Sequence, residues 1–121
     1  MVSMDPKTAV MCYQFGERAK SELIVASQLC IALTSFSEEE KAGGKRMILL
    51  MLDAVRSELH FAYKSTNDAE FNKAINALGS AISLVESNQH EQASGKIAQA
   101  VSAVTTPAAN AWQVLSEHGL L

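Results

Sequence analysis

The chain has 121 residues, of which 48% are hydrophobic, 19% charged and 6% aromatic. That is the length of one ordinary domain, and so apolar a chain with a net charge of only −3 is not an intrinsically disordered one. A pI near 5.5 argues against a nucleic-acid binder built on a basic face.

No stretch alternates apolar and polar residues as a half-buried strand requires, whereas a helical period runs through the whole chain. Asp5-Pro6 opens the first helix as N-cap and first turn, where proline loses nothing by lacking an N–H. The helix should run to about Thr34 and bury Gly16, Ala19, Leu23, Ala26, Cys30 and Leu33 along one stripe. Small residues dominate that stripe, so a neighbouring helix can approach closely. Ser37 followed by Glu38, Glu39 and Glu40 is a capping box with carboxylates placed against the positive helix end. Gly43-Gly44 weakens this start by about 1 kcal/mol each relative to alanine. The second helix is therefore expected to begin near Lys45, after a short turn, and to end near Lys64. Its run Met47-Ile-Leu-Leu-Met-Leu52 is apolar around most of the circumference, which predicts burial on several sides.

Ser65-Thr-Asn-Asp68 reads as a loop that also caps a third helix. Phe71, Ala74, Ile75, Leu78, Ala81, Ile82 and Val85 keep the three-four spacing until Ser87-Asn-Gln89 closes it. A fourth helix starts near His90 with Ile97, Ala100, Val101, Val104, Ala108, Ala111, Trp112 and Leu115 on one face. Pro107 falls inside that pattern without disturbing its phase, which predicts a helix kinked or broken there. Gly119 is the stop signal. Four helices on short loops predict one all-α domain over residues 1–121, an antiparallel up-and-down four-helix bundle.

No secretory signal is expected, since the first apolar cluster, Ala9 to Met11, is short and follows Asp5. The longest uncharged stretch, Ile97 to Ser116, is long enough for a membrane span but too rich in alanine, hydroxyls and amides. Cys12 and Cys30 lie on one helix roughly 27 Å apart at about 1.5 Å per residue, too far to bridge each other. Free buried thiols and a cytoplasmic location are the expectation.

Charge is unevenly spread. Residues 1–68 carry 8 basic and 9 acidic side chains, and residues 69–121 only 2 basic and 4 acidic. The outward stripes of the last two helices carry small amides and hydroxyls where a solvated face usually carries Lys and Glu. Such groups are cheaper to desolvate than ions, so Asn76, Ser80 and Ser83 on the third helix form one candidate protein interface with Gln99, Ser102, Thr106, Asn110 and Gln113 on the fourth. A homodimer is its simplest form.

Catalytic and metal chemistry find little support. His60, His90 and His118 lie on three segments, and no Glu-x-x-His pair exists for a bundle di-iron site; surface histidines and no metal or cofactor are expected. His60 shares a polar stripe with Asp53, Arg56 and Lys64, and cations four residues away on either side would suit a phosphate. Histidine phosphotransfer domains are bundles of this size, but their reactive histidine precedes Leu-Lys-Gly, whereas here His60 reads His-Phe-Ala-Tyr-Lys. HEPN-type nucleases carry an Arg and a His four to six residues apart; Arg56 and His60 enclose only three residues. A solvated face is the better reading of both. Neither cysteine has a histidine or helix N-terminus nearby in sequence to form a thiolate. The double glycine before Lys45-Arg46 reads as a mobile turn that could attract an anion.

Leu49-Leu-Met-Leu-Asp53, followed by Asn72-Lys-Ala-Ile-Asn76, loosely resembles the first two helices of flagellar export chaperones of the FliS kind over residues 47–86. That resemblance implies a cytoplasmic chaperone holding a partner's helices in apolar grooves. The residues themselves point to a non-catalytic, cytoplasmic bundle that works by associating with itself or another protein, without nucleic acid or membrane.

Overall fold

The computed structural model describes residues 4–121, which form four helices and no strand: α1 (Pro6–Leu33), α2 (Glu38–Thr66), α3 (Ala69–Glu86) and α4 (His90–Glu117). Three helix starts carry the side-chain caps their sequences announce. Asp5 Oδ1 accepts from the Thr8 amide at 2.7 Å and Asp68 Oδ1 from the Glu70 amide at 2.9 Å. Ser37 and Glu40 form the reciprocal capping box. Helix ends are closed by left-handed residues. Asn88 at φ 65° lets Gln89 N–H reach the Leu84 carbonyl at 2.8 Å, and Gly119 at φ 68° lets Leu120 N–H reach Leu115 in the same way.

The capping box decides where α2 begins. The helix starts at Glu38 rather than Lys45, and Gly43 and Gly44 lie inside it. Gly44 is there for space: a Cβ on it would come within 2.7 Å of Leu33 Cδ1 and 3.1 Å of Phe36. Its bare backbone lets the tight loop of residues 34–37 fold back onto α2. The helix also runs two residues past Lys64, to Thr66.

Each helix packs against two others, α1 and α3 both lying between α2 and α4. Ser27 meets Ser94 and Gly16 meets Ala108, so α1 and α4 run antiparallel. Buried positions on α1 are Ala9, Cys12, Gly16, Ala19, Leu23, Ala26, Cys30 and Leu33, alternating three and four apart over the whole helix. That seven-residue repeat keeps one seam against neighbours along a left-handed supercoil. Small side chains on the seam and alanines on α4 make this the most extensive helix pair. The core is one contiguous cluster around Phe71, Leu23, Leu52, Leu59, Leu78 and Ile97, all fully buried. Each contributes about 1.5–3 kcal/mol relative to exposure.

α4 is not split at Pro107. The helix is continuous from His90 to Glu117, and Pro107 is itself buried with Val104 and Ala108 on either side. Packing along both flanks holds the segment helical despite the missing N–H. Trp112 departs from its expected core role and is mostly exposed, while Val101 and Ile82 are only half-buried.

Candidate interaction surfaces

The residues expected on the α3–α4 face lie where the spacing puts them. Asn76, Ser80, Ser83, Gln99, Ser102, Thr106 and Gln113 are exposed and Asn110 is half-buried. Gln99 and Ser102 are brought beside Glu70, Lys73, Ala77 and Ala103 in a shallow groove between the two helices. Two of the hydroxyls are already engaged, Ser80 Oγ donating to the Asn76 carbonyl at 3.4 Å and Ser83 Oγ to Gly79 at 3.3 Å. A serine bonded to its own helix backbone offers less to a partner.

A different surface stands out on the opposite side of the bundle. The sequence from Leu23 to Ser37 has no charged residue; on the flank of α1 toward α2 Val25 and Leu29 are exposed, as is Phe36 in the loop that follows, while the exposed Ile24 and Ile31 stand beside Ser27 on the flank toward α4. Antiparallel to it, the start of α2 exposes Met47 (70%) and Leu50 (69%), so the expected burial of the Met47–Leu52 run on several sides does not occur. Only Ile48 and Leu52 of that run face the core; Leu49 and Met51 are half-buried. The reason is the bundle's geometry: a corner helix has two neighbours, and the third side of an all-apolar helix is left facing water. Met47, Ala54 and Phe61, seven residues apart, share the edge of α2 toward α1. There the Phe61 ring meets Phe15 with centroids 5.8 Å apart.

Between the apolar end and the Phe15–Phe61 pair sits one charged cluster. Arg18 Nη2 contacts Glu58 Oε1 at 2.7 Å, and Arg18 Nε lies 3.7 Å from Glu22 Oε1. The Glu22 carboxyl is pushed above its ordinary range by burial, by its hydrogen bond to Glu58 and by the Glu58 charge, with Arg18 pulling the other way. Arg18 thus stands between two carboxyl groups, one from its own helix and one from α2. On the other flank of α2, a groove of about 450 Å³ toward α3 is lined by Arg46, Leu49, Leu50, Asp53, Arg56, Ile82 and Glu86.

The candidate chemical residues do not assemble. Arg56 Nη2 is held by Asp53 at 2.8 Å in that groove, while His60 is exposed and does not line it. Among the described residues no three His, Cys, Asp or Glu side chains converge as a metal site. Cys12 and Cys30 are free and buried; burial and the Asp68 charge push the Cys12 thiol up to about 11, and burial raises Cys30. His118 is on the surface as expected, its Nδ1 2.9 Å from the Val114 carbonyl.

His90 is not a surface histidine. It is 7% exposed at the first position of α4, and its Nδ1 is buried without a hydrogen-bond partner. Burial and the charges of Lys45 and Lys41 hold its pKa below the usual histidine range. Sequence reasoning missed it because those two lysines come from α2, more than forty residues away. Only the bundle brings them to the start of α4.

Fold and surfaces together define a small four-helix bundle with an apolar patch at one end of its α1–α2 side. No protein-family model, curated protein or solved structure matches the chain. The resemblance to export chaperones thus rests on the two phrases alone, of which Leu52 and Ile75 are buried packing residues while Asn72 and Asn76 face solvent. Among the described residues no helix is long and apolar enough to cross a membrane.

Proposed function

We propose that this protein works non-catalytically, by pairing with a second copy of itself through the outer face of α1 and α2. The carrying observation is the exposure of Met47 and Leu50 beside the uncharged, outward-facing apolar residues of α1. Exposed apolar side chains in contiguity, as opposed to scattered singly, mark interaction surfaces.

Area and charge favour a second copy as the occupant. A 28-residue helix is about 42 Å long, and two helices side by side present a face roughly 20 Å wide. The product, on the order of 800 Å², is about what each partner of a standard stable interface buries. Beyond the Arg18–Glu22–Glu58 cluster, the Leu23–Ser37 segment brings no charge to the face, so two copies meet there without the like-charge repulsion that penalises wrong pairings. Phe15, Phe61 and Arg18 are also residue types enriched where interfaces bind most strongly.

Two charge insertions test this and separate it from the α3–α4 alternative. Met47→Glu with Leu50→Glu places carboxylates on the proposed face, at positions already exposed and so tolerant of polarity. Gln99→Glu with Ser102→Glu does the same on the α3–α4 face. Size-exclusion chromatography with light scattering should show a dimer that the first pair converts to monomer and the second leaves intact. The reverse pattern would move the interface to α3–α4. Monomers throughout would remove self-association, leaving a different protein, such as the export substrate of a chaperone, as the partner to seek.

A further inference from the structure

We propose that the N-terminus of α4, with Lys41, Lys45 and His90, forms a binding site for a phosphate-type oxyanion. Two cavities of about 360 and 410 Å³ meet at this end of the bundle, and Lys41, Asn88 and His90 line both. The first adds Thr34, Gln89, Glu91 and Gln92; the second adds Glu38, Ala42 and Lys45.

Three features point to an anion. α4 is the one helix whose first turn receives no side-chain cap, Gln89 standing at the N-cap without a hydrogen bond to it. Gln89, His90, Glu91 and Gln92 at this uncapped, positive helix end line the cavity that Lys41 also lines, and Lys45 lines the adjoining one. Lys45 is fixed there by two hydrogen bonds, and Lys41 is held only by an exposed carboxylate. Lys45 Nζ donates to the Glu86 carbonyl at 2.7 Å and to Asn88 Oδ1 at 3.2 Å, and Lys41 Nζ holds Glu38 at 3.4 Å. The third feature is independent of both: the buried His90 Nδ1 has no partner, and a buried polar atom left unpaired calls for a group to satisfy it.

The charges around His90 are Lys41, Lys45 and Glu38 from α2 and Glu91 from α4; the end of α1 contributes no charge, only its uncharged C-cap Thr34, and the Glu86 carboxylate of α3 lines the α2–α3 groove instead. Burial first, and then the charges of Lys45 and Lys41, disfavour the protonated ring. Glu38, almost fully exposed, loses little when Lys41 turns to an incoming dianion. With that dianion in place the lysine field at His90 is reversed, and the protonated ring becomes a third cationic donor.

The test follows the ring protons of the three histidines by NMR as pH is varied, in inorganic phosphate and in chloride of equal ionic strength. Phosphate should raise the His90 midpoint by about one unit, the size of a nearby opposite charge, while His60 and His118 stay fixed as internal controls. Gln89→Asp gives the α4 amides a carboxylate of their own, as Asp5 and Asp68 do for α1 and α3, and should abolish the phosphate-induced rise in a stably folded protein. Lys41→Ala with Lys45→Ala should abolish it too. No rise in the wild type, an equal rise in all three histidines, or a rise that survives these substitutions would overturn the proposal.

Discussion

Replacing Gly16 by alanine tests the closest contact in the bundle. A Cβ there would stand 2.8 Å from Ala108 Cβ and 3.0 Å from the Val104 carbonyl oxygen. Non-bonded carbons settle at about 3.5–4.0 Å, so α1 and α4 must part by roughly 1 Å at the middle of their seam. Neither neighbour can swing aside, since one is the first carbon of a side chain and the other is backbone. Overpacking of this kind costs about 1–3 kcal/mol, against which alanine gains about 0.8–1 kcal/mol over glycine in a helix interior. The net is a loss of about 0–2 kcal/mol centred near 1, or roughly 5 °C in Tm for a chain of this length. Gly79, with nothing within 4 Å of its Cβ position, is the control, and Gly79→Ala should stabilise by up to about 1 kcal/mol. Urea unfolding followed by far-ultraviolet circular dichroism, with Trp112 fluorescence as a second probe, measures both. If Gly16→Ala is as stable as Gly79→Ala, the close approach of α1 and α4 is wrong.

Three further outcomes follow from burial and charge. Glu22 holds its proton above the ordinary carboxyl value of 4.5 in the fold, so stability is present at low pH and lost as pH rises from there through the raised value. Urea midpoints across that window should fall for the wild type and stay flat for Glu22→Gln; parallel profiles would refute the assignment. Cys12 and Cys30 should resist a thiol reagent in the native protein, because both are buried and neither forms thiolate readily. Their labelling should accelerate in Gly16→Ala as opening becomes easier, and fast labelling of the wild type would contradict their burial. Phe71→Ala, at the largest fully buried side chain, should cost about 3–5 kcal/mol; a loss under about 1 kcal/mol by the same urea assay would show that Phe71 is not in the core.

Much of the architecture is legible in the sequence because the signals are local. Asp5-Pro6, Ser37 with Glu40, Asp68 and Gly119 act within a few residues, and each sits at the helix end it announces. The three-four spacing of α1 and α3 likewise names their buried faces almost residue for residue. Local cost misleads at Gly43-Gly44, where an intrinsic penalty is outweighed by a good cap and by the room Gly44 leaves for Leu33 and Phe36. Trp112 and the Met47–Leu52 run show a second limit. Apolar character says that a side chain favours burial, but only the arrangement of neighbours says whether any side of the helix is covered. The surfaces are hidden for the same reason. The exposed stripe of α1 is broken by buried residues, Val25 and Leu29 flanking Ala26, and becomes a patch only when α2 lies beside it. His90 meets Lys41 and Lys45 only across the fold.

Sedimentation equilibrium over a range of protein concentrations tests self-pairing through α1 and α2 most directly. The wild type should sediment with twice the 13.0 kDa chain mass at high concentration, and Met47→Glu with Leu50→Glu should return it to 13.0 kDa while its circular dichroism stays helical. A wild type that remains at the single-chain mass at every concentration would contradict it.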